Sequence, residues 1–202
     1  MKTLRVIFFL VLAAAGAGAL AQPKEGDSPH VDLIVIDGSI NPAVDDFIGE
    51  AIARAKAGVA QALIIQLDTP GGHLSSTQTI VKKMLGATVP VIVYVAPAGA
   101  GAGSAGVFIT LAGHIAAMAP GTNIGAAHPV SGLGKMDEIM TKKITSDAAA
   151  YIRSKAERRG RNVAMAEKAV IESRSFTEKE ALELKLIDLI AKDVPDLLAQ
   201  LE

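Results

Sequence analysis

Val91-Ile92-Val93-Tyr94-Val95 runs into Ala96-Pro97-Ala98-Gly99-Ala100-Gly101-Ala102-Gly103-Ser104-Ala105-Gly106, and that into Val107-Phe108-Ile109-Thr110-Leu111-Ala112. The first stretch is a continuous apolar run of strand length, the pattern of a strand buried on both faces. The second is built almost wholly from Gly and Ala, so the chain leaves that strand through a turn stripped of side chains. Glycine there permits unusual φ values and lets another backbone come close. Ser104 carries the turn's only functional group. A lone hydroxyl between a strand and a helix, ringed by backbone N–H groups, is how an acyl-transfer nucleophile is presented.

Working outward, strand and helix alternate. Residues 31–36 (Val-Asp-Leu-Ile-Val-Ile) read as a buried strand. Asn41 is an N-cap, Pro42 the first helical residue, and Asp45 and Asp46 fill the first turn of a helix running to about Gly58. Residues 62–67 form a second strand, 74–86 a second helix, 91–95 the third strand and 114–118 a short fourth. Such alternation predicts an α/β fold with a parallel sheet covered on both faces. The last third reads as helical near 145–160, 163–171 and 177–184, with a short strand at 186–190 and an amphipathic end at 194–201. The loop 130–138 has no regular pattern.

The composition narrows the function. The chain has 202 residues, a formal net charge of −1, 3% aromatics, no Trp and no Cys. No basic footprint marks it for nucleic acid, and thiol catalysis, zinc–thiolate sites and disulfides are excluded. Lys2 and Arg5, the apolar run 6–13 and Ala19-Leu20-Ala21 before Gln22 form a signal peptide or N-terminal anchor over 1–21, which predicts an exported domain. Residues 22–30 are a polar linker, and 31–202 one domain.

Two familiar patterns fit the turn poorly. Gly101-Ala-Gly103-Ser-Ala-Gly106 matches G-x-G-x-x-G, but it lies in the third strand–helix unit and no carboxylate stands near Ala126 to hold a ribose. The nucleophile elbow G-x-S-x-G fails because Ala102 stands where its first Gly belongs. A second piece, Asp68-Thr69-Pro70-Gly71-Gly72-His73, ends the second strand. Ligands gather at the carboxyl ends of parallel strands, so this loop and the Ser104 turn should share a crevice. The N–H groups of Gly71 and Gly72, with that of Ala105, are candidates to hold the oxyanion of a tetrahedral intermediate.

Asp68-Thr69-Pro70-Gly71-Gly72, Gly103-Ser104-Ala105-Gly106 and the segment from Ala119-Pro120-Gly121 through Ala127-His128-Pro129, in that order, resemble the ClpP-class serine protease domain of NfeD membrane proteins. The resemblance implies a ClpP/crotonase-like fold of repeated ββα units, oligomeric through a helical C-terminal arm. It implies peptide-bond hydrolysis by a Ser–Lys dyad without metal or cofactor, and a hydrophobic segment of a stomatin-like membrane protein as substrate. Ser104 is then the nucleophile and Lys143, just ahead of the helix beginning Ile144-Thr145-Ser146, the base. Burial beside Ile144 and the positive end of a helix both disfavour an ammonium. His128 is the alternative base, with Asp137 a poor group to orient it. His114 reads as a packing residue and His73 as a groove-lining one. Long NfeD proteins continue into transmembrane helices and a β-barrel; this sequence shows neither, which suggests a stand-alone or truncated protease domain. Two other readings use the same loops: a crotonase-type enzyme, which needs a carboxylate that is missing beside Ser104, and a non-catalytic assembly module.

Overall fold

The computed structural model describes residues 29–130 and 137–202; the expected signal segment, most of the expected linker and six residues of the 130–138 loop lie outside them. Eight strands and seven helices follow one another among these residues: β1 Val31–Asp37, α1 Pro42–Ala57, β2 Ala62–Asp68, α2 Leu74–Leu85, β3 Val91–Val95, β4 Gly101–Gly103, α3 Ala105–Ala112, β5 Ile115–Met118, β6 Asn123–Gly125, α4 Glu138–Arg158, α5 Val163–Ile171, β7 Ser175–Thr177, α6 Glu178–Glu183, β8 Leu189–Ile190 and α7 Val194–Ala199. The local chemistry explains the boundaries. Asn41 accepts the Val44 N–H ahead of Pro42, and Gly58 ends α1. Thr177 and Glu180 form a reciprocal capping box at α6.

The large sheet is parallel throughout, in the order β1-β2-β3-β5-β8. A small sheet, β4-β6-β7, stands beyond its carboxyl ends. Sequence periodicity misses this second sheet, yet it is what makes the repeat. Each of the first four large-sheet strands passes through a short second-layer segment before its helix. After β1 this is Ile40, bridged to Gly72; after β2 it is Thr69, bridged to Ala102; after β3 and β5 it is β4 and β6. The expected ββα units are therefore present four times, with the second strand shrunk to one bridge in the first two.

One face of the sheet, with Ile34, Ile36, Leu63, Ile65, Leu67, Val91, Val93 and Val95, packs under the helices as the main core. The opposite face holds a smaller cluster around Ile64, Ile92, Tyr94 and Ala117, closed by Leu197 of α7. The Tyr94 hydroxyl donates to the Ala191 carbonyl at 2.7 Å there. Coverage on both faces holds for the central strands only. At the edge, Leu33 and Val35 of β1 are 47% and 54% exposed. A run of apolar residues cannot by itself tell an edge strand from a central one.

Candidate active site

Ser104 sits between β4 and α3 with φ 47° and ψ −105°. A residue with a Cβ adopts that positive φ only when its surroundings enforce it. The strand–turn–helix path and the strained serine reproduce a nucleophile elbow without the G-x-S-x-G pattern. Crowding falls elsewhere than that pattern assumes. A Cβ on Gly103 would lie 3.0 Å from the Pro70 carbonyl oxygen, and one on Gly106 2.8 Å from the Thr69 methyl, whereas the Ala102 methyl is accommodated in the core. Ser104 donates its N–H to the Ala126 carbonyl at 3.0 Å. It stands at the N-cap position of α3, but its hydroxyl makes no capping bond and is left for other chemistry.

The Asp68–His73 loop is laced to this turn. Thr69 donates its N–H to the Gly101 carbonyl at 2.8 Å, and Gly103 returns one to the Thr69 carbonyl at 2.9 Å. The Asp68 carboxylate accepts the Gly101 N–H at 2.9 Å. A Cβ on Gly71 would stand 2.6 Å from the Ser104 Cβ, 3.1 Å from its Oγ and 3.5 Å from the Ala105 nitrogen. Serine and glycine pair are in contact on one side of the molecule. Their N–H groups differ in freedom. That of Gly71 is engaged with Thr69 Oγ1 at 3.0 Å, and the His73 N–H with the Ile40 carbonyl. Those of Gly72 and Ala105 have no acceptor among the described residues.

The cleft in front of Ser104 has a volume of about 590 Å³ and mostly apolar walls, including Leu74, Thr77, Phe108, Ile144 and Ala148. Behind it, α3 carries no acidic residue in its first turn, while arginines close its far end. Arg159 Nε donates to the Ala112 carbonyl at 2.9 Å, and Arg161 reaches the Leu111 and Gly113 carbonyls at 3.3 and 3.1 Å. Cations at its C-terminus and open N–H groups at its N-terminus orient this helix to favour negative charge beside Ser104.

A family model described as NfeD1b, N-terminal domain, matches residues 30–199. The chain belongs to this family. It is 41% identical over 165 residues to the membrane-bound protease PH1510 of Pyrococcus horikoshii, covering 81% of this chain and 37% of that one. It is 30% identical over 128 residues to the membrane protein NfeD1b of Bacillus subtilis, covering 63% of this chain and 28% of that one. The chain therefore spans only 37% and 28% of the lengths of these two relatives. Among solved structures it superposes on the 1510-N membrane-bound stomatin-specific protease as a serine-to-alanine variant, with TM-score 0.80 and 38% identity over 85% of this chain and 84% of that one. A lysine-to-alanine variant in complex with a substrate peptide superposes equally well, TM-score 0.80 and 38% identity over 86% and 80%. The architecture is the ClpP-like α/β fold that the motifs imply.

In this NfeD1b-type domain the other candidates fall out as follows. Lys143 does not precede a helix: α4 begins at Glu138, so Lys143 lies in its second turn, exposed, while Ile144 lines the cleft. The dipole argument for a helix N-terminus accordingly does not apply to it. Asp137 is the N-cap of α4, accepting the Met140 N–H at 2.8 Å, and does not serve a histidine. His128 places Nδ1 3.1 Å from the Val170 carbonyl, an acceptor only, which puts the proton on Nδ1. His73 borders the cleft. His114 is a packing residue whose Nδ1 accepts the Val91 N–H at 3.1 Å. No group of three His, Cys, Asp or Glu among the described residues is arranged to hold a metal, and no described helix is long and apolar enough to cross a membrane. Sequence reading missed Asp68 and Thr69 as the clasp of the glycine loop, and Arg161 as the cap of α3. The Asp-Thr-x-Gly spacing carried a turn signal for the first two; Arg161 had none.

Proposed function

We propose that this domain is a serine endopeptidase in which Ser104 Oγ attacks a peptide carbonyl lying in the apolar cleft. The N–H groups of Gly72 and Ala105 hold the resulting oxyanion, and Gly71 contributes by lacking a side chain where Ser104 needs room. The observation that carries this reading is the contact between Gly71 and Ser104 beside two open backbone donors. Lys143 is the base. Its amine accepts the proton that Ser104 Oγ gives up, and the adjacent Ile144 lines the cleft that the peptide fills. The same amine then protonates the leaving nitrogen, and water releases the acyl group from Ser104.

The solved relative is named for its specificity toward stomatin, and its structures carry substitutions of a serine and of a lysine. Both support a Ser–Lys pair acting here on a stomatin-like membrane protein, and the apolar walls of the cleft suit a hydrophobic segment of it. An exported, membrane-associated homo-oligomer, with residues 1–21 as signal or anchor and 31–202 as the protease domain, fits this role. A hydrophobic fluorogenic peptide tests the reading: the wild type hydrolyses it, and Ser104→Ala lowers turnover at least about 1,000-fold. Equal rates in the two proteins would refute it.

A further inference from the structure

The Ser104 cleft lies between α2 and α4. Leu74 and Thr77 of α2 face Ile144 and Ala148 of α4 there. One to two turns further along both helices, a second recess of about 590 Å³ opens between Gln78, Lys82 and Leu85 of α2 and Tyr151, Lys155 and Arg158 of α4. The two recesses share a partition: the Phe108 ring, in the wall of the cleft, lies 6.0 Å from the Tyr151 ring, in the wall of the recess. The Tyr151 hydroxyl reaches the Gln78 carbonyl at 3.5 Å, from α4 to α2. The second recess is cationic. No Asp or Glu lines it, and Lys82, Lys155 and Arg158 have no ion-pair partner among the described residues. Their neighbours in sequence do: Lys83 pairs with Asp45 at 2.8 Å, and Arg153 with Glu167. Lys155 Nζ instead stands 4.3 Å above the centre of the Tyr151 ring, held toward the recess.

Helix ends attract cations, which accounts for basic residues in the last turns of α2 and α4. It does not account for three of them converging on one hollow with no carboxylate between them. We propose that this recess is a subsite for an acidic residue of the peptide substrate, an inference that rests on the peptidase reading above. Seven residues of helix separate Ala148 from Lys155, about 10 Å, which an extended peptide crosses in about three to four residues. The substrate class is thus an apolar stretch that fills the Ser104 cleft, followed or preceded at that distance by Asp or Glu.

Binding of fluorescent hydrophobic peptides to the Ser104→Ala protein tests this independently of turnover. Peptides carry Asp, Asn or Lys at each of the positions three to five residues from the cleft-seated side chain, on either side. At one position Asp should bind about fivefold tighter than Asn, and Lys weaker, with the difference shrinking as salt is raised. Lys82→Glu combined with Lys155→Glu should reverse the Asp–Lys order while leaving the all-neutral peptide within about twofold. Equal affinity for Asp and Lys peptides at every position, or an acidic preference that survives the double reversal, would overturn the proposal. Acidic preference without hydrolysis by the wild type would support the subsite and reject the peptidase; hydrolysis without acidic preference would do the opposite.

Discussion

Gly71 shows how much of the site depends on an absent side chain. Its φ of +124° is closed to residues with a Cβ, and a methyl there would overlap the Ser104 Cβ at 2.6 Å. Gly71→Ala is expected to push Ser104 away from the Gly72 and Ala105 donors, cutting peptide turnover at least about 100-fold, the scale of losing one oxyanion donor. Kinetics on folded protein, checked by circular dichroism, measure this; turnover within a few-fold of wild type would mean that the contact is dispensable. His114 illustrates a residue whose role is stability. Its Nδ1 must keep a lone pair for the Val91 N–H, and burial, then the nearby Arg159, lower its pKa. The unfolded chain takes up that proton near the ordinary histidine value of about 6.5. The contribution is therefore complete above that pH and is lost as pH falls below it toward the folded value. The urea midpoint should drop between pH 7 and pH 5, and His114→Gln should flatten that drop.

Two helices divide the work of the site. α3 is only eight residues long, yet it begins at the nucleophile and ends on two arginines. Arg161, with its side chain 2% exposed, also pairs with Asp188 at 2.9 Å, tying α3 to the approach of β8. Arg161→Met should cost about 2–3 kcal/mol in urea unfolding, because Asp188 and the carbonyls of Leu111, Gly113 and Leu186 lose a buried partner. α4 depends on its first turn. Asp137→Ala should cost about 1 kcal/mol and slow turnover by loosening the turns that carry Lys143, while Asp137→Asn keeps the cap and stays near wild type. Equal loss in both would instead make the charge itself important. The sequence signals were uneven at this level. Residues 91–95 and 163–171 have the observed limits because an apolar run and a capped amphipathic segment are local properties. The first two turns of α4 went unread although Asp137-Glu138 is a start signal, because their apolar residues Ile139 and Met140 are 82% and 45% exposed and the helix buries a side chain only from Ala148 onward. β4 and β6, three residues each and containing glycine, acquire their strand character by pairing with each other and, for β6, with β7, and cannot be seen locally.

At the scale of the whole molecule, four strand–bridge–helix units bring loops distant in sequence to the carboxyl ends of one parallel sheet. That convergence is why Ser104 and the glycine pair were legible in advance: topology places the ends of β2 and β3 side by side, and side-chain-free loops there have few other uses. The position of Lys143 relative to Ser104 was not legible, because it depends on where α4 starts and not on strand order. Active-site labelling tests the central claim most directly. A fluorophosphonate probe should modify Ser104 and no other residue in the wild type. Labelling should be absent in Ser104→Ala, fall at least about tenfold in Lys143→Ala and persist in His128→Ala. An unmodified Ser104 in an otherwise folded protein, or labelling that depends on His128 and ignores Lys143, would contradict the account.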